Sequence, residues 1–197
     1  MTKEQCEAAK RNWSDVMKVF KIRRADHDSA VSNSSTAAAQ AQSIKAEIDS
    51  INQTLYYLNE KKKAKIEKVK SLKSSISDKR SRIKDLRDSI SWNPDNKKYA
   101  EADIRSLKRE IENIKSNIER HNSEKSTIQD DIDTNVQRRN EKKERRTYFI
   151  DRKKAYRSDA NSSRDEANQQ RNKLLEIKRS IVANCPESYG YSIPNRL

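Results

Sequence analysis

Apolar residues recur every three or four positions along almost the whole chain. With Ile48 taken as heptad position a, the a sites going forward read Ile48, Leu55, Lys62, Val69, Ile76, Ile83 and Ile90. The d sites read Ile44, Ile51, Leu58, Lys65, Leu72, Lys79 and Leu86, so eleven of these fourteen positions are apolar. Followed backward, the same phase places Ala41, Ser34, His27, Phe20, Trp13 and Cys6 at a, with Ala37, Ala30, Arg23, Val16 and Ala9 at d. A second series keeps one phase from Ile104 at a and Leu107 at d to Ile177 at d and Ile181 at a. Its seam turns polar between Asn135 and Arg146 and then resumes. Apolar a and d sites sustained over this many heptads predict a coiled coil rather than a globular helix.

The two series are separated by SWNPDNKK, residues 91–98. Asn93 suits an N-cap, because its side chain can accept an orphan backbone N–H. Pro94 suits the first helical position, where its missing N–H costs nothing. Asp95 complements the positive end of the helix dipole. The stretch therefore predicts a stop and a restart, and a short connection between helices makes them antiparallel neighbours. The expected fold is all-α: a first long helix over 1–91, a hairpin tip at 92–96, a second long helix over 97–183 and an extended tail at 184–197. The alternative is a kink in one continuous rod. At 1.5 Å per residue each helix would measure roughly 130 Å.

An antiparallel seam pairs a with d, and a short tip fixes partners whose numbers sum to 190. Leu86 then meets Ile104, Ile83 meets Leu107, Val16 meets Leu174 and Trp13 meets Ile177. Small residues face large ones, Ala41 with Phe149 and Ser34 with Tyr156, as a packed seam requires. One stretch fits less well, because Ile44, Ile48 and Ile51 face Arg146, Lys142 and Arg139. Either the long basic stems cover these isoleucines, or the three form a contact for another protein or a second copy.

Composition narrows the choice. Only 32% of the 197 residues are apolar and 38% are charged, too few apolar groups for a broad globular core. A narrow helical seam is what such a chain can build. The single glycine, Gly190, excludes a P-loop, a dinucleotide fingerprint and a nucleophile elbow. His27 and His121 lie on the seam and far apart in the hairpin, so they read as polar register devices. No enzyme, cofactor or metal is expected.

Two cysteines are too few for a disulfide scaffold. The register sets Cys6 opposite Asn184, beside Cys185, so a bridge would staple the open end of the hairpin. Two independent thiols in a reducing compartment are the preferred reading. MTKEQCEAAK holds no apolar run, so no secretory signal is expected, and no segment approaches the roughly 18 apolar residues of a membrane span. The expected location is the cytoplasm, or a particle assembled there.

The net charge is +14. Residues 61–84 carry eleven Lys and Arg against Glu67 and Asp78, and residues 138–157 carry ten against Glu141, Glu144 and Asp151. Such a surface attracts nucleic acid, anionic membrane or acidic protein. Lys61, Lys62, Lys63, Arg138, Arg139, Lys142, Lys143, Arg145 and Arg146 are the candidate polyanion contacts. Trp92 at the tip is either an exposed anchor or a cap over Ala100. Tyr189, Tyr191 and Pro194 mark the tail as a candidate docking peptide. The functional expectation is a non-enzymatic brace or spacer with protein partners, in a homo-oligomer or a larger assembly of virion or secretion type by architectural analogy. The alternative is a basic nucleic-acid-binding or packaging protein.

Overall fold

The computed structural model describes residues 3–185 and 191–197. Helix α1 runs Lys3–Trp92, a 3-10 turn covers Pro94–Asn96, and helix α2 runs Lys97–Asn184. The two long helices pack antiparallel as a coiled-coil hairpin, and no strand occurs among the described residues. Every a and d position named above is buried or half-buried. The heptad positions are thus the inward-facing ones, as a period of 3.5 demands.

The turn departs from the expectation in one detail. Pro94 does not open α2 but a single 3-10 turn, and α2 starts at Lys97. Asn93 still caps: its Oδ1 accepts from the Asp95 amide at 3.3 Å. Its carbonyl accepts from the Asn96 amide at 3.3 Å, the i to i+3 bond that tightens a helix start into 3-10 geometry.

The chain divides into two compact units, Glu47–Lys142 and Met1–Ala46 with Lys143–Leu197. The first unit contains the turn. One of its apolar clusters is Ile76, Ile83, Ile104, Leu107 and Ile111, and a second is Ile51, Leu55, Ile128 and Ile132. Polar layers interrupt the seam: Lys62 donates to Gln129, Lys65 pairs with Glu124, Lys79 with Glu110 and Lys142 with Glu47. These partners sum to 189 or 191, one residue from the expected 190.

The other unit holds a cluster of Cys6, Trp13, Phe20, Ala167, Leu174, Ile181 and Cys185. Phe20, Leu174 and Ile181 are the largest fully buried side chains. Each contributes about 1.5–3 kcal/mol by leaving water. Farther along, Ala30, Ser34, Ala37 and Ala41 are buried, and Phe149 and Tyr156 are half-buried. Ala37, Phe149 and Tyr156 line one groove, a small residue beside two large ones.

Candidate interaction surfaces

Three surfaces follow from the seam: the turn, the residues beyond α2, and the charged flanks. At the turn Trp92 is 89% exposed. It does not cap the seam, and Ala100 is buried without it. Tyr99 nearby is exposed as well.

Beyond α2 the tail packs on its own helices. Tyr191 meets Trp13 edge to face at 5.1 Å between ring centroids, and Ile193 and Leu197 join the same cluster. Asn168 Nδ2 donates to the Leu197 carbonyl at 3.3 Å, and its Oδ1 accepts from the Leu197 amide at 3.2 Å. Arg171 Nε donates to the Pro194 carbonyl at 2.8 Å. Tyr191 and Pro194 are therefore engaged within the chain. The physical reason is the ring of Trp13, whose edge and face offer Tyr191 a partner in reach. Tyr189 lies outside the described residues.

Cys6 and Cys185 are joined by a disulfide, with Cα atoms 5.8 Å apart and both residues buried in the same cluster. This separation lies in the normal range for a bridge. The structure thus takes the stapled option, not the pair of independent thiols.

The isoleucines of the uncertain stretch are covered. Ile44 is 5% exposed, and Ile48 and Ile51 are 8% exposed, so none is open in this structure. Arg146, Lys142 and Arg139 stand half-buried at the matching register positions. The Nε atoms of Arg139 and Arg146 are buried without a hydrogen-bond partner, as befits stems lying along apolar surface.

The candidate polyanion contacts divide by heptad position. Lys61, Lys63, Arg138, Lys143 and Arg145 are exposed. Lys62, Arg139, Lys142 and Arg146 occupy the seam and are half-buried, with Lys62 and Lys142 bonded across it. Lys62 and Lys142 are thereby engaged inside the seam, because the a and d positions that place them also turn them inward. Within the unit that holds the tail, Arg152 is clasped by two tyrosines. Its guanidinium donates to Tyr148 Oη at 2.9 Å and to Tyr156 Oη. The same group lies over both rings, and these bonds raise its pKa.

Two carboxylates on the seam are acidified. Glu124 is lowered from the ordinary 4.5 to about 2, mainly by the hydrogen bond from Lys65 and then by His121, whose Nδ1 lies 3.1 Å away. Glu110 is lowered by its bond with Lys79. Among the described residues no group of three or more His, Cys, Asp or Glu side chains is arranged to hold a metal ion, and no helix is long and apolar enough to cross a membrane.

No family model matches this chain, and no curated protein matches it. Among solved structures, a coiled-coil segment of Pyrococcus yayanosii Smc is similar. The two share 16% identity with a TM-score of 0.47, over 92% of this chain and 84% of that one. At that identity and score the similarity says nothing of function.

Proposed function

We propose that this chain is a non-enzymatic structural protein, a brace or spacer within a multi-subunit assembly. Trp92 carries the reading. The seam consumes the large apolar a and d side chains between the two helices, yet the turn leaves the largest residue type 89% exposed. Exposed tryptophan is the type of side chain that anchors protein contacts when a partner desolvates it. Among the described residues no packing accounts for it.

The test is Trp92→Ala, followed by sedimentation of extracts from the cells that make the protein. The expected result is that the wild-type chain travels in a large complex, and that the variant, with unchanged helicity by circular dichroism, does not. A wild-type chain that travels alone overturns the proposal.

A further inference from the structure

The charge on the unit Glu47–Lys142 is not spread evenly around the helices. Six bases of α1 follow one strip beside the seam: Lys63, Lys70, Lys73, Arg80, Lys84 and Arg87. Their separations of seven, three, seven, four and three residues place them at b and e positions of the heptad, on one face of a helix. All six are exposed, and among the described residues none makes an ion pair. The acidic residues of this stretch, Glu67, Asp78, Asp85 and Asp88, all fall at c and f positions off the strip.

On the opposite flank Lys61, Lys68 and Arg82 are exposed and unpaired as well, but acidic side chains of α2 stand beside it. Lys65 and Lys79 are bound by Glu124 and Glu110 of α2, and Arg82 acts on Glu110 from the same side. At 1.5 Å per residue the strip runs for about 36 Å. Beside its middle lies a shallow groove of about 380 Å³, where Lys125 and Asn122 of α2 adjoin Lys70 and Lys73.

We propose that this strip is a binding rail for the phosphate backbone of a nucleic-acid duplex, engaged without regard to sequence. Evenly recurring cations with no apolar core suit a polyphosphate backbone, which asks only for neutralisation. A protein partner would want a desolvated apolar centre, and the strip offers only Ile66. A single strand would want aromatic platforms interleaved with the bases, and between Lys63 and Arg87 the chain has no aromatic residue. A bilayer surface would want an apolar helix face, and the seam has already buried it.

The experiment measures binding of the full chain to a labelled 30-base-pair DNA duplex across a salt series, with three proteins. The first is wild type. The second is Lys70→Gln, Lys73→Gln, Arg80→Gln. The third is Lys61→Gln, Lys68→Gln, Arg82→Gln, which removes the same charge from the opposite flank. Circular dichroism verifies that all three keep their helices. Wild type is expected to bind in the micromolar range at physiological salt, the usual strength of sequence-independent contacts. The strip variant is expected to lose roughly a hundredfold and to have a log–log salt slope shallower by about three. The opposite-flank variant should stay within about threefold of wild type. Equal loss in both variants would show that only net charge matters and overturns the rail. So does a wild type that binds only at very low salt, that prefers the single strand, or that is stripped from duplex more readily by poly-glutamate than by unlabelled duplex.

Discussion

Glu124 is held by two side chains at once, Lys65 from across the seam and His121 one turn away. Its pKa in the folded chain lies near 2, below the ordinary 4.5. A carboxylate lowered on folding contributes stability that is complete above the unfolded value and is lost as pH falls through the folded one. The window is therefore about pH 5 down to about pH 2. Melting temperature should decline across it in wild type and decline less steeply in Glu124→Gln, read by circular dichroism at successive pH values. Parallel curves would mean that the pairing with Lys65 does not differ between folded and unfolded chains. At this scale the sequence was partly readable. Lys65 at a d position marked a polar layer, but its partner is Glu124 at the neighbouring g position, whereas a simple a-to-d rule sets it opposite Lys125. Lysine is long enough to reach past its direct opposite number, and charge decides which neighbour it takes.

At the scale of elements, the helices were legible and the tail was not. A repeat of seven sustained through both helices leaves little freedom, and every assigned seam position turned out buried or half-buried. The tail carries no period. Its conformation depends on Tyr191 finding Trp13 and on Asn168 and Arg171 meeting backbone groups, contacts that join residues far apart in the sequence. The composition that marked 184–197 as distinct said that helix would end, not where the chain would go. Tyr191→Ala should cost about 1–3 kcal/mol through the lost aromatic contact and exposed area. In a Trp92→Phe background, where Trp13 is the sole emitter, its fluorescence should move to the red. An unshifted spectrum would mean that the tail does not cover Trp13. The isoleucines opposite Arg139, Lys142 and Arg146 give the complementary lesson. A mismatch on paper was resolved by side-chain length, which a pattern of apolar and polar letters does not encode.

For the whole molecule, the dominant constraint is the bridge between Cys6 and Cys185, which are 179 residues apart in sequence. On the chain-entropy account a loop of this length is worth up to about 5 kcal/mol, because the unfolded chain loses the freedom of its ends. Urea unfolding should therefore shift to lower denaturant on reduction, and Cys6→Ser should behave like the reduced wild type. If reduction leaves the midpoint in place, the bridge contributes nothing to stability. The register made this proximity readable, since it set Cys6 beside Cys185. The chemical choice between thiols and disulfide was not readable, because it depends on redox conditions and not on the heptad.

The same bridge gives the chain the covalent topology of a ring, closed through sulfur and through the peptides of the 3-10 turn. A single cut by a protease between Asn93 and Asn96 would open that ring without releasing a fragment. The nicked product would be two chains, one per helix, of unchanged total mass apart from one water, and they would separate only under reduction.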